Sequence, residues 1–356
     1  MISIKTEAND ANEIAIFREA LVSWFRREGK TYPWRETRDP YAVLVSELML
    51  QQTRIATVLE RRYYQRWMKA FPGWQALAQA DTDQVLKLWE GLGYYNRARN
   101  LQKAAQVVCS DYKGTCPSTL EEILSLPGVG RYTAGAVLSF AFEKRAPIVD
   151  GNVVRVLARV TAIADPVDSS SVQRDLWSLA ELLVPREEVR EFNSGLMELG
   201  QRVCHRRNPN CEICPIRRQC RAREEELVAE IPRKSQKTKT TELVEHVGIG
   251  EKNGHILLTC ESGNRRRGLW RLPELDPESA ADLPEILRFP YAITRYRVDL
   301  RVHRFENPLQ MEAFQKNNSG EMGWFRLDDQ TNWPALASPY KKAIAKFLEI
   351  SDDLVG

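Results

Sequence analysis

No stretch of this 356-residue chain approaches the roughly 18 consecutive apolar residues that a bilayer-spanning helix needs, so no membrane span is expected. Met1 to Glu13 lack the charged-then-apolar layout of a secretory signal, and a cytoplasmic protein is expected, nucleoid-associated if the source is bacterial. A charge excess is missing too: 51 basic and 48 acidic residues leave a formal net charge of +3, too little by itself to point to nucleic acid. No internal repeat is present, and the composition excludes a disordered, collagen-like or coiled-coil chain. What is there is ordinary, with 43% hydrophobic and 9% aromatic residues, ample for globular cores. The length suggests two domains.

The first two-thirds reads as helical. Asp39-Pro40 offers an N-cap aspartate followed by proline at the first helical position, leading into Tyr41–Gln52. Further helical patterns fall near Asp83–Trp89, Arg97–Ser110, Leu120–Leu126, Thr133–Phe142, Val153–Ala162, Val172–Leu183 and Phe192–Arg202, separated by Gly and Pro. The texture changes after the cysteine cluster that ends at Cys220. Ile231–Thr241 is polar and basic, a linker composition. Beyond it, Glu242–Gly248, His255–Cys260, Ala292–Val302 and Met322–Leu327 alternate as strands do, and a last helix is expected over Pro339–Ile350. The expected organisation is a helical domain over 1–225, a basic linker over 226–241 and an α+β domain over 242–356.

Of seven cysteines, Cys109, Cys116 and Cys260 are isolated and read as packing residues. Cys204, Cys211, Cys214 and Cys220 form a C-x6-C-x2-C-x5-C run. Zinc usually takes two separated C-x2-C pairs. One compact, unevenly spaced loop suits a [4Fe–4S] cluster better, with zinc as the alternative. Arg202, Arg206, Arg207, Arg217, Arg218, Arg221 and Arg223 crowd around these thiols, and a second basic run holds Arg233, Lys234, Lys237 and Lys239. A basic run is as often a solvated face as a binding surface; here it surrounds a candidate metal loop, which the metal would shape.

Leu126-Pro-Gly-Val-Gly130 separates two helical patterns. Such a turn lets backbone approach a phosphate at Gly128 and Gly130, with the next helix's amides facing the anion. This contact grips a nucleic-acid backbone without reading sequence. By itself, the motif is equally a plain helix-linking loop.

Taken in order, Leu126–Gly130, Arg131-Tyr-Thr-Ala-Gly135, Val149-Asp-Gly-Asn-Val153 and the cysteine loop resemble the helix-hairpin-helix endonuclease III superfamily. Ser46–Thr53 and Gly91-Leu-Gly-Tyr-Tyr95 resemble its adenine DNA glycosylase (MutY) branch. The likeness runs from about Tyr32 to Arg221 and implies a mostly α helix-hairpin-helix glycosylase fold. It also implies a monomeric enzyme acting on double-stranded DNA that contains a mispair, with no membrane partner. Hydrolysing an N-glycosidic bond needs an acid for the leaving base and a carboxylate beside an oxocarbenium-like sugar. The residues matching those roles are Glu47 and Asp150, with Asn152 orienting the latter. Without the likeness, Asp150 is an N-cap and Glu47 a surface acid. Bifunctional relatives place a Schiff-base lysine where this chain has Tyr132, so a monofunctional enzyme is implied. The wedge positions match Gln52 and Tyr94, with Thr53 and Leu92 beside the opposite base, and the adenine pocket matches Trp34 and Arg35. Trp34 and Leu92 are equally good core residues.

Arg267-Gly-Leu-Trp-Arg-Leu-Pro-Glu274 resembles the start of a Nudix-like domain that inspects 8-oxoguanine, without the glutamate-rich Nudix metal helix. The family's Phe-Ser-His probe aligns with Ile293-Thr-Arg295, leaving Thr294 and Arg295 as candidate lesion contacts. The function implied is excision of adenine opposite 8-oxoguanine or guanine. The alternatives are action on T or U opposite G, or a non-catalytic iron–sulfur DNA-binding protein.

Overall fold

The computed structural model describes residues 10–235, 240–263, 268–293, 295–318 and 320–353. Its chain divides into two compact units, one of residues 1–79 and 103–236, the other of 80–102 and 237–356. Among the described residues no helix is long and apolar enough to cross a membrane.

The helical part of the chain runs α1 (Asp10–Glu28), α2 (Pro40–Leu50), α3 (Ile55–Glu60), α4 (Tyr63–Ala70), α5 (Trp74–Gln79), α6 (Thr82–Trp89), α7 (Asn96–Asp111), α8 (Leu120–Ser125), α9 (Arg131–Phe140), α10 (Gly151–Val160), α11 (Ser170–Leu183), α12 (Val189–Arg202) and α13 (Arg221–Glu224). The cap expected at Asp39 is in place. Asp39 accepts a hydrogen bond from the Tyr41 amide, and Thr119 and Ser169 cap α8 and α11. Each satisfies donors that a helix start leaves without intrahelical partners. In the first unit, Phe17 and Leu21 of α1, Val153 and Leu157 of α10, Leu176 and Leu183 of α11, and Phe192 and Leu199 of α12 close one core. Ile216 and Ile231 extend that core beneath the cysteine loop. Tyr41 and Trp67 are buried together, the phenol donating to the Phe71 carbonyl at 2.7 Å and accepting from the indole at 3.2 Å.

The second unit is α+β, as expected for a Nudix-like domain. Its strands are β1 (Thr241–Ile249), β2 (Glu251–Lys252), β3 (His255–Cys260), β4 (Trp270–Arg271), β5 (Glu274–Leu275), β6 (Glu285–Ile293), β7 (Tyr296–Arg304) and β8 (Met322–Arg326). They are accompanied by α14 (Pro277–Ala281), α15 (Pro308–Asn317) and α16 (Ser338–Asp353). One sheet has the order β5-β1-β7-β6, with β1 and β7 parallel; in the other, β3 carries β2, β4 and β8. Leu257, Leu275, Phe305 and Met311 form a core between them. The single strand expected over Ala292–Val302 is instead the end of β6 and most of β7. Ile293 pairs with Tyr296, so the chain reverses in a two-residue connection. Alternating residues on both sides of so short a turn mimic one continuous strand. Thr294, Arg267, Lys237 and Lys239 lie outside the described residues.

Candidate active site

The site is built where α2, α9, α10 and α12 meet. A cavity of about 820 Å³ is lined by Trp34, Arg35, Glu47, Gln51, Gln52, Thr53, Tyr132, Asp150, Asn152 and Met197, among others. Two acids a hundred positions apart in sequence, Glu47 and Asp150, therefore open onto one space. Eight of the candidate residues, Trp34, Arg35, Glu47, Gln52, Thr53, Tyr132, Asp150 and Asn152, are brought together here.

Glu47 sits on the apolar helix α2 and is only 5% exposed. Burial disfavours its charged form and pushes its carboxyl up to about 7, with Asp150 adding to the rise. A hydrogen bond from the Tyr132 phenol, 2.6 Å from Oε2, and the nearby Arg35 work against it. Tyr132 also approaches the Met197 sulfur at 3.9 Å, and burial beside Glu47 holds its phenol far above the ordinary tyrosine range. Gln51, the next residue on the cavity wall, donates to the Thr133 hydroxyl at 3.4 Å.

Asp150 is the N-cap of α10. Its Oδ1 accepts from the amides of Asn152 at 2.9 Å and Val153 at 2.7 Å, and its Oδ2 from the Asn152 side chain at 2.9 Å. Burial raises its carboxyl above the ordinary aspartate range, and these bonds pull it part of the way back. These capping bonds also fix the direction of the carboxylate on the cavity wall.

The cavity wall is stiff. Trp34, in a 3₁₀ turn at Pro33–Arg35, stacks on Tyr32 at 5.4 Å and meets Tyr64 edge-on. Arg35 lies over Phe25 and Tyr32 and pairs with Glu198, whose side chain is fully buried. Glu198 also accepts from the Lys30 amide at 2.9 Å and from Arg202 at 2.8 Å. Gln52 is exposed at φ +58, a left-handed conformation unusual outside glycine, and Thr53 closes the same turn through a bond from its amide to Leu50.

Sequence reasoning missed Glu198, and it missed Arg155. The Arg155 guanidinium donates to Asn152 Oδ1 at 2.9 Å, to the Gly200 carbonyl at 2.6 Å and to the Cys204 carbonyl at 2.7 Å. It therefore ties the Asp150–Asn152 pair to the first cysteine of the loop. Gly200 lets α12 come this close, since a Cβ there would stand 2.6 Å from the Cβ of Asn152. The available signal was an arginine three residues after Asn152, one helical turn on.

Cys204, Cys211, Cys214 and Cys220 line a cavity of about 30 Å³. Burial pushes the Cys214 thiol up to about 12. Arg159, buried at 1% exposure, points a guanidinium nitrogen at Cys204 Sγ at 3.2 Å and bonds the carbonyls of Ile231, His205 and Arg206. Arg206, Arg207, Arg217, Arg218 and Arg223 are exposed around the loop. Leu126–Gly130 joins α8 to α9 as expected. Leu126 is buried, Gly128 takes φ +78, and Gly130 is the N-cap of α9 with its first amides free of a side-chain cap.

Leu92 and Tyr94 belong to the second unit. Leu92 is buried, and Tyr94 is 49% exposed at φ +48. Arg295 is exposed at the β6–β7 connection, its guanidinium against the Tyr296 ring.

A family model described as HhH-GPD superfamily base excision DNA repair protein matches residues 45–182. Adenine DNA glycosylase of Rattus norvegicus is 46% identical over 223 residues, 60% of this chain and 43% of that protein. The adenine DNA glycosylase of Buchnera aphidicola subsp. Acyrthosiphon pisum is 38% identical over 221 residues, 62% of this chain and 63% of that one. The solved structure of a thermostable thymine-DNA glycosylase superposes with a TM-score of 0.53 at 32% identity, covering 61% of this chain and 99% of that chain. The chain belongs to the helix-hairpin-helix superfamily of base excision DNA repair proteins. Within that superfamily, the matched part of the chain is similar to adenine DNA glycosylases. The match spans less than half the length of the rat relative.

Proposed function

We propose that this protein is a monofunctional DNA glycosylase that removes adenine mispaired with 8-oxoguanine or guanine. The observation that carries the reading is that Glu47, held near neutrality by burial, and Asp150, aimed by three N–H donors, line one cavity. The extruded adenine enters beside Trp34 and Arg35. Glu47, protonated below about pH 7, donates to the departing base. Asp150 stabilises the positive charge growing on the sugar, Asn152 keeps it oriented, and a water then adds to the anomeric carbon and gives up a proton. The phenol of Tyr132 holds Glu47 in place and cannot form a Schiff base, so the product is an abasic site rather than a cut strand.

Gln52 and Tyr94 prop the opened stack, with Thr53 and Leu92 against the opposite base. Leu126, Gly128 and Gly130 present backbone to a phosphate. Thr294 and Arg295 contact the lesion. The protein acts as a monomer in the cytoplasm, on the nucleoid if the source is bacterial.

The four cysteines suit a [4Fe–4S] cluster. They surround one cavity, yet among the described residues no three Cys, His, Asp or Glu side chains close on a single point as the ligands of one ion do. Cys204, Cys211, Cys214 and Cys220 would hold the cluster. When bound, it fastens the four thiolates together and so fixes the arginine-bearing loop.

Single-turnover base release from 8-oxoG:A, G:A and G:T duplexes tests the reading. Release of adenine, abolished by Asp150→Asn with duplex binding kept, is the expected result. Thymine release would favour the second reading, action on T or U opposite G, to which the likeness to a thymine-DNA glycosylase gives some weight. Borohydride trapping of a covalent DNA adduct would count against a monofunctional enzyme.

A further inference from the structure

The turn Gly91–Tyr94, exposed at its first and last residues, is tied at both ends to one buried residue from much later in the chain, Leu336. Before the turn, Glu90 Oε1 accepts the Leu336 amide at 3.2 Å, and its Oε2 pairs with Lys341 at 2.9 Å. After the turn, the Tyr95 hydroxyl donates to the Leu336 carbonyl at 3.2 Å and accepts the Gly91 amide at 3.4 Å. Both backbone groups of Leu336 are therefore used, and the Tyr95 oxygen links the turn to it directly. Leu336 is braced in turn by Trp270, which bonds Ala335 at 2.9 Å and Ala337 at 3.4 Å and sits in the segment resembling the start of a Nudix-like domain.

The turn itself is held from inside. Arg97 donates to the carbonyls of Leu92 at 2.9 Å and Gly93 at 3.0 Å, and the Trp89 indole donates to Gly93 at 3.1 Å. At its tip Tyr94 is left-handed and half in solvent. An exposed aromatic in that conformation persists only where its surroundings over-determine it. Here the surroundings include the Arg97 and Trp89 side chains and a strut from the C-terminal chain.

We propose that Glu90 and Tyr95 are positioning residues through which the C-terminal domain sets the pose of Tyr94 in the duplex, and thereby the preference for the base opposite the target. This rests on the reading above that Tyr94 enters the opened stack. It gives the C-terminal domain a route to specificity that does not pass through Thr294 and Arg295. The strut fixes a geometry that rewards one opposite base over another, so loosening it lowers discrimination more than it lowers binding.

The test uses the full chain. Single-turnover adenine release is measured on 8-oxoG:A and G:A duplexes, with 2-aminopurine beside the target adenine reporting its extrusion. Tyr95→Phe removes one oxygen, and Glu90→Leu removes the acceptor and the charge. Each is expected to shrink the ratio of the two rates about two- to tenfold, the effect of one or two lost hydrogen bonds, and to reduce the fluorescence rise. Glu90→Gln, which can still accept from Leu336, is expected to recover most of the ratio. Unchanged ratio and fluorescence in both Tyr95→Phe and Glu90→Leu, while Tyr94→Ala loses the fluorescence rise, would overturn the proposal alone. If Tyr94→Ala keeps that rise, the turn is not the inserted element, and the proposal falls together with the wedge reading.

Discussion

The phenol oxygen of Tyr132 stands 2.6 Å from Oε2 of Glu47, donating to an acid whose burial keeps it protonated up to about pH 7. That bond favours the ionised form, so it restrains a rise that burial causes. Single-turnover release should fall as pH climbs through about 7, where Glu47 loses its proton. Tyr132→Phe should move this descending limb to higher pH. A limb that stays put, or moves down, would show that Glu47 is not the titrating acid.

The same group makes a stability prediction. A carboxyl held above its ordinary value binds its proton more tightly folded than unfolded. Its contribution is complete below the ordinary glutamate range and is lost as pH rises through about 7. Glu47→Gln should therefore melt at a higher temperature than the parent at pH 8, with the gap closing towards pH 4.5. A gap that is constant with pH would refute this.

Arg155 joins Asn152, Gly200 and Cys204 through three hydrogen bonds. Arg155→Ala leaves all three acceptors short of a donor and should slow base release by about 10- to 100-fold, the usual loss on removing a supporting residue. Lysine lacks the planar fork, so Arg155→Lys should recover little of the rate. Recovery to within twofold would mean that charge alone matters.

Iron and acid-labile sulfide should be found at about four of each per chain. Cys214→Ser should lower both, and the loop 204–220 should then be cut faster by trypsin at its arginines. One zinc per chain and no sulfide would overturn the cluster.

Gly128 takes φ +78 in the hairpin. Gly128→Ala should weaken duplex binding and cost stability by about 1–2 kcal/mol, while release at saturating enzyme changes little. Filter binding against single-turnover rates separates the two. A large loss in the saturated rate would mean that the turn shapes the cavity instead of gripping phosphate.

Local chemistry made much of the fold legible. Asp39 marks a helix start because capping is settled by neighbours in sequence, and the spacing of Cys204, Cys211, Cys214 and Cys220 is a purely local signal. The reversal after Ile293 was hidden because the residues on both sides alternate as one strand would. Glu198 and Arg155 were overlooked for another reason. Their partners Arg35 and Cys204 arrive from distant positions, and the only local hints were Asn152 one turn before Arg155 and Arg202 one turn after Glu198. The grouping of residues 80–102 with the C-terminal chain is likewise set by packing alone.

Gly200 shows how far the chemistry reaches into the scaffold. A single added methyl there would press on Asn152, tilting the side chain that aims Asp150. A mutational survey that ranked positions by chemical reactivity would pass over this residue, since glycine offers none. Yet alanine at 200 should behave as a fault in the machinery rather than in the frame, because the room left empty is what keeps the carboxylate pointed.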